Sequence, residues 1–173
     1  MSRDEGWRYD VAYTVRELQR LHFSPYTKHP KKEMDDAARK LTSEIPKLSD
    51  SQIVTRLAQL VALCGDGHTA VRFRNNPMRV PLRYLPITFF GFPDGVFVVA
   101  NSPTAREWAG MRLVKVGGRP VGEVLAKLKT CFGSDNQSFE THMAPLALQS
   151  AHLLAGLGYS TSSDRVKCTF ADQ

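Results

Sequence analysis

A histidine placed directly after a glycine-rich turn is the residue of this sequence best suited to acid–base chemistry. His68 follows Gly65, Asp66 and Gly67, and two glycines around an aspartate let the chain leave a helix and reverse sharply. Imidazole can take a proton near neutral pH and act as a general base if it reaches a nucleophile. His68 is therefore a candidate catalytic base, and Gly65, Asp66 and Gly67 form the structural turn that carries it.

The turn also has a structural interpretation without catalysis. His68 could be a loop residue whose ring nitrogens bond to nearby backbone groups, and Asp66 suits an Asx turn better than the role of an acid. General-base catalysis needs a nucleophile, but Ser150 lies in a helical run and the serines of residues 160–163 lie in a polar loop. The sequence therefore assigns His68 neither a nucleophile nor an acidic partner.

Composition restricts the classes of function. The 173 residues are 42% hydrophobic and 23% charged, which is typical of a globular chain with one core or two small ones. The net charge is +6, but the basic residues are scattered, so we predict no nucleic-acid partner. No run approaches the roughly 20 apolar residues of a membrane span, and the N-terminus lacks the apolar core of a signal peptide. We expect a cytoplasmic protein that does not bind a membrane.

Metal and disulfide chemistry are not indicated. Cys64, Cys131 and Cys168 are widely spaced and form no paired motif, so we expect reduced, mostly buried thiols. Four further histidines share no metal-ligand spacing with Asp, Glu or Cys: His22, His29, His142 and His152. We predict no metal site and no cofactor.

Three helices are predicted ahead of the turn. Apolar residues at three- and four-residue spacing predict the first at about 7–22 and the second at about 31–41. The third begins at a capping box formed by Ser49 and Gln52, and Gly65 is its natural end. The turn therefore lies at the end of the last helix of a three-helix unit.

After the turn the apolar pattern changes to the alternation of strands. We expect a short strand at 69–73 and then a β-hairpin of strands 85–90 and 96–100 around Asp94 and Gly95. A short helix at 103–109 and a strand at 111–116 should follow. The next elements are a helix at 121–132 and a helical stretch to Gly158 that Pro145 interrupts. The last segment, 164–170, alternates like a strand. We expect it to have no partner inside this chain and to be the edge of a structure that continues.

Three features in this order resemble the front half of the tail-specific, or C-terminal-processing, serine proteases, a family related to the tricorn protease core. The first is the helical unit ending in Gly65-Asp66-Gly67-His68-Thr69. The second is a PDZ-like module, from Leu85 to a helix ending near Phe132. The third is a connector from Asn136 to the strand at Val166. Together they cover most of the chain.

The resemblance implies an α+β fold in three parts. These are an N-terminal helical domain (1–69), a small PDZ-like β-rich domain (70–133) and a helical connector with a strand (134–173) leading to a protease core. In the family the nucleophile is a core serine, activated by a lysine in most members and by a histidine in the tricorn-like branch. His68 matches that histidine. No stretch after Phe132 shows the core's strands and helices with a serine on a turn, so we expect the core to be absent.

A PDZ-like module binds an extended peptide between a sheet edge and a helix. The candidate substrate-binding residues are Leu85, Ile87 and Phe89 on the strand and Val124 and Leu128 on the helix. Core packing is the alternative for each of them. Pro86 stands where a carboxylate-binding loop is expected and has no amide hydrogen, which argues against capture of a peptide carboxylate.

The expected function is therefore that of the front portion of a serine-type peptidase, acting on polypeptides and inactive without its core. Its oligomeric state is left open. The alternative is a non-catalytic module that binds peptide tails or a partner protein. A third and weaker alternative is a basic anion-binding protein, whose affinity would fall steeply with salt.

Overall fold

Three helices open the chain, four strands of an antiparallel sheet follow, and three more helices precede the last strand of that sheet. The structure is a computed structural model that describes residues 1–71, 83–99 and 103–171. Its helices are α1 (Arg3–Leu21), α2 (Lys31–Glu44), α3 (Asp50–Ala62), α4 (Val121–Leu128), α5 (Gln137–Ala147) and α6 (Ala151–Gly156). Its strands are β1 (Thr88–Phe92), β2 (Gly95–Val99), β3 (Arg112–Val116), β4 (Arg119–Pro120) and β5 (Cys168–Ala171). The predicted α+β class is confirmed.

Two of the three N-terminal helices, α1 and α3, begin at side chains that accept hydrogen bonds from their first amides. Ser49 and Gln52 form the predicted capping box of α3, and Ser2 and Glu5 form a second one at α1. The helix α2 runs to Glu44, three residues beyond the predicted end, and a short 3₁₀ turn follows it. One hydrophobic core joins these helices, and its most buried members include Val11, Met34, Ile45, Ile53 and Val54.

The sheet is organised around β3. β1 and β2 form the predicted hairpin, although the turn itself is Pro93 and Asp94 and Gly95 already belongs to β2. The start of β3 pairs with β2, and its end pairs with β4. All of these pairings are antiparallel. The predicted strand at 69–73 is not formed at residues 69–71, and residues 72–73 lie outside the described chain.

The last strand has a partner, so the expectation that it has none was wrong. β5 pairs antiparallel with β3, with Leu113 opposite Phe170 and Val116 opposite Cys168. The Gly117 amide extends the pairing by donating to the Lys167 carbonyl at 2.8 Å. Alternation identified a strand in this segment, although the strand is Cys168–Ala171 and not the predicted 164–170. A pairing across more than fifty residues of chain leaves no local signal in a sequence.

A second hydrophobic core lies under the sheet and contains residues from α3, from the strands and from the later helices. Its fully buried side chains include Phe89, Leu113, Val124, Leu128, Leu148 and Leu154, and Ala58 of α3 joins them. Close packing continues where α6 meets α3, since a Cβ on Gly156 would collide with the Thr55 side chain. The helix α3 therefore contributes to both cores. No helix in the described residues is long and apolar enough to cross a bilayer.

Candidate functional site

The turn after α3 depends on a glycine with a left-handed backbone. Gly65 has a φ of +72°, a conformation that costs glycine little and other residues more. A Cβ at this position would also collide with the aliphatic stem of Lys28. The chain can therefore reverse directly beneath the loop that joins α1 to α2, which brings Asp66 close to the end of α1.

Asp66 is the centre of a hydrogen-bond network. Its Oδ1 accepts the His68 amide at 2.8 Å, which is the geometry of an Asx turn, and its Oδ2 accepts the Thr69 hydroxyl. The Thr69 hydroxyl, then the His68 amide, hold the pKa of the Asp66 carboxyl well below its usual range, although partial burial opposes them. The carboxylate is therefore ionised at any pH near neutral.

His22, at the end of α1, is a third donor to Asp66. The Ser24 amide donates to His22 Nδ1 at 3.1 Å, so in the neutral ring the hydrogen is on Nε2. His22 Nε2 lies 3.1 Å from Asp66 Oδ2 and donates to it. This tautomer is assigned from its hydrogen-bond partners.

The loop before α5 holds the turn from the opposite side. Asp135 Oδ2 accepts the Gly67 amide at 3.2 Å, and the Lys28 ammonium donates to the Ser134 carbonyl. Gly133 fits against the Asp66 backbone so closely that a Cβ there would lie 2.8 Å from the Asp66 amide nitrogen. The turn is thus clamped between two loops that are distant in sequence.

The clamp leaves His68 facing solvent. Its side chain is 93% exposed, and its Nδ1 lies 3.4 Å from Asp66 Oδ1 and 4.0 Å from Asp135 Oδ2. Two carboxylates are therefore near a ring for which the sequence assigned no acidic partner. Asp66 could have been found from its spacing, whereas nothing in the sequence links Asp135 to the turn. No serine hydroxyl of the described chain bonds to this imidazole.

These three side chains also bear on metal binding. One ligand atom from each of Asp66, His68 and Asp135 falls within 4.8 Å of the others. Both oxygens of Asp66 already accept hydrogen bonds, and half of the Asp135 side chain is exposed. Exposed carboxylates often group in this way without an ion, so the arrangement alone does not define a metal centre.

The predicted substrate-binding residues are found in the core under the sheet. Ile87, Phe89, Val124 and Leu128 are 8% exposed or less, and Leu85 is half-buried against the same core. Core packing, the alternative named for each of them, describes where they lie. They therefore present little surface to a peptide in this conformation.

The cysteines offer no activated nucleophile. All three are free thiols, with Cys64 and Cys131 buried and Cys168 half-buried. Burial raises the pKa of Cys131 and of Cys168 to about 11, which keeps both groups protonated at neutral pH. Since the thiolate is the reactive form, neither residue is suited to covalent catalysis.

Comparison with known proteins identifies a shared fold. No family model matches the sequence, and no curated protein matches it. The crystal structure of mature CPAF, a chlamydial protein, matches with a TM-score of 0.55 and 20% identity over 85% of this chain and 28% of that chain. A serine-to-alanine mutant of CPAF matches with a TM-score of 0.50 and 19% identity, over 83% of this chain and 29% of that one. The chain thus spans less than a third of the length of these structures and shares the fold of that portion.

Proposed function

We propose that this chain is the helical and PDZ-like portion of a serine-type peptidase of the C-terminal-processing kind. Its substrate is a polypeptide, and His68 is the general base for a serine on a protease core that docks against the turn. The observation that carries the proposal is that His68 is 93% exposed although the backbone beneath it is clamped on two sides. CPAF, whose fold part of this chain shares, is a serine protease of the tail-specific type, which supports the same assignment.

The proposed chemistry follows from the two ring nitrogens. Asp66, near Nδ1, would orient the ring and stabilise its charged form, which leaves Nε2 for the serine. The serine hydroxyl proton passes to Nε2 as the serine oxygen attacks the peptide carbonyl, and the imidazolium then protonates the leaving amine. Water hydrolyses the acyl-enzyme with the same histidine as base.

A chimera tests the role of His68. In it the chain replaces the matching portion of CPAF, and cleavage of a peptide mixture is read by mass spectrometry. His68→Ala is expected to lower kcat/KM by about a thousandfold, which is typical of a lost general base. His29→Ala, at a half-buried histidine ahead of α2, is the control and should leave kcat/KM unchanged. Equal activity with and without His68 would contradict the proposal, as would specific cleavage by the isolated chain.

The second candidate is a non-catalytic peptide-binding module. It is favoured by the lack of a serine hydroxyl bonded to His68 among the described residues. Titration with peptides that end in a free or an amidated carboxylate separates the two modes of recognition. A tail-binding module loses affinity on amidation, whereas a module that recognises internal segments does not.

A further inference from the structure

The helices α1 and α2 leave an open groove between them, with a volume of about 770 Å³. Its base is apolar: Val11 is 1% exposed and belongs to the N-terminal core. Val15 and Ala38 are half-buried against the same core, and Ala12 is exposed. All described residues that line this α1–α2 groove belong to the two helices themselves. The apolar floor is therefore continuous with the core, and no other part of the described chain covers it.

The shape of the groove suits a third helix. Ala12 on α1 and Ala38 on α2 are small, so another helix can approach the floor closely. The lining residues of α1 run from Arg8 to Gln19, which is about 16 Å along the helix axis. A helix of about three turns with apolar residues at three- and four-residue spacing fills a groove of this length. An extended segment is disfavoured, because helical walls offer its peptide groups no backbone partners.

The charges on the walls favour an acidic occupant. Arg8 and Arg16 of α1 and Arg39 of α2 line the groove. Asp35, on the same walls, already accepts a hydrogen bond from the Lys31 ammonium at 2.7 Å. Arg8 forms no ion pair with the described residues, and the Arg16 and Arg39 side chains are 61% and 70% exposed although each pairs with a carboxylate of its own helix. Carboxylates on both sides of an apolar helix face would complement these walls.

Two tyrosines extend the surface along α1. Tyr9 and Tyr13 lie one turn apart with stacked rings, their centroids separated by 6.0 Å, and they are 56% and 46% exposed. The Arg16 guanidinium lies over the Tyr13 ring, 5.0 Å from its centroid, and joins the tyrosines to the groove wall. Tyrosine and arginine are enriched among the residues that dominate binding at protein interfaces. Composition and charge therefore both indicate a polypeptide partner.

We propose that the α1–α2 groove binds an acidic amphipathic helix of a partner polypeptide. The apolar side chains of that helix cover the floor at Ala12 and Ala38, and its flanking carboxylates pair with Arg8 and Arg39. The groove shares no residue with the turn at Asp66 or with the predicted peptide groove. The proposal therefore goes beyond the proposed function, and neither depends on the other.

A synthetic peptide tests the chemistry of the occupant. The probe is a fluorescein-labelled peptide of about 18 residues with leucine at three- and four-residue spacing, glutamate on both flanks and alanine elsewhere. Its binding to the full chain is followed by fluorescence anisotropy at about 0.15 M salt. A peptide of the same composition, scrambled so that its leucines share no face, is the matched control and should bind about tenfold more weakly. Equal affinity of the two peptides would overturn the proposal, because charge alone would then explain binding, as it would for a nucleic acid or an anionic membrane.

Charge reversal on the walls tests the position of the site. Arg8→Glu/Arg39→Glu should weaken binding of the leucine-striped peptide about tenfold, since two attractions become repulsions. Lys40→Glu/Lys47→Glu, at exposed lysines outside the groove, is the matched control with the same change in net charge. It should change the affinity by less than about twofold, because salt screens distant charges. Equal losses in the two double variants would contradict binding at the groove.

Filling the floor tests the apolar contact without a change in charge. Ala12→Trp occupies the space of the incoming helix and should weaken peptide binding about tenfold. Ala109→Trp, at another exposed alanine, is its control and should leave the affinity unchanged. Sedimentation of the chain without peptide examines a second copy as the occupant: a wild-type dimer that Ala12→Trp dissociates would overturn the proposal in favour of self-association. No binding of the striped peptide by the wild-type chain at about 1 mM would overturn it as well.

Discussion

Two regions were predicted to be functional: the turn at Asp66, and the peptide groove between the strand that carries Phe89 and the helix that carries Val124. Their predicted side chains differ in how exposed they are in the structure. At the turn, the predicted residue His68 is 93% exposed and is carried by neighbours one to three positions away. At the groove, Phe89 and Val124 are fully buried. A short polar motif contains most of its own geometry, because each side chain bonds to backbone nearby. An apolar residue acquires its role only when the surfaces around it are known.

Truncation of Phe89, compared with truncation of Phe90, gives the largest expected effect on the free energy of unfolding. It tests directly whether the predicted groove residue Phe89 belongs to the core. The two residues are adjacent on β1 and face opposite sides, with Phe89 fully buried and Phe90 38% exposed. Phe89→Ala should lower the free energy of unfolding by about 3–5 kcal/mol, since it leaves a cavity in the core. Phe90→Ala, the matched control, should cost about 1 kcal/mol or less. Urea denaturation measures both.

Similar losses for the two phenylalanines would contradict the placement of Phe89 in the core. In that case Phe89 would be available as a groove wall, as the sequence suggested. A large loss at Phe89 alone would confirm that this side chain serves the core and forms no part of a peptide-binding surface.

Local signals in the sequence explain which predictions were correct. The capping box at Ser49, the hairpin near Asp94 and the alternation in β5 each depend on residues close together in the chain. The pairing of β5 with β3, the contact of Asp135 with Gly67 and the position of Pro145 against Gly91 join distant segments. Such contacts depend on the path of the whole chain, and periodicity carries no information about it.

The turn itself is not wholly local, and Gly133 tests how far it depends on a distant loop. A Cβ on Gly133 would lie 2.8 Å from the Asp66 amide nitrogen and closer still to the Asp66 carbonyl oxygen. Both atoms are backbone and cannot move aside cheaply, so Gly133→Ala should lower the free energy of unfolding by about 1–3 kcal/mol. Gly122→Ala is the control, because a Cβ there meets nothing within 4 Å. Equal stability of the two variants in thermal unfolding would show that the loop before α5 does not clamp the turn.

Acid titration of Asp66 gives the smallest of the three effects on unfolding free energy. It tests the polar network of the turn separately from apolar packing. The folded state holds the pKa of Asp66 below that of an unfolded aspartate, about 3.9, chiefly through the Thr69 hydroxyl and the His68 amide. A carboxyl group whose pKa is lower in the folded state than in the unfolded state stabilises the fold above pH 4. This stabilisation is lost progressively as the pH falls below that value. At pH 7, Asp66→Asn should lower the free energy of unfolding by about 1 kcal/mol, a value reduced by the partial exposure of the side chain.

The gap in unfolding free energy between wild type and Asp66→Asn should therefore stay constant from pH 7 to about pH 5 and narrow below pH 4. Urea denaturation at a series of pH values measures it. A gap that persists unchanged to pH 2.5 would mean that shape, not charge, makes the aspartate suitable for the turn. A narrowing gap means that the ionised carboxylate organises the backbone that presents His68, because its acceptors hold the Thr69 hydroxyl, the His68 amide and the His22 ring together.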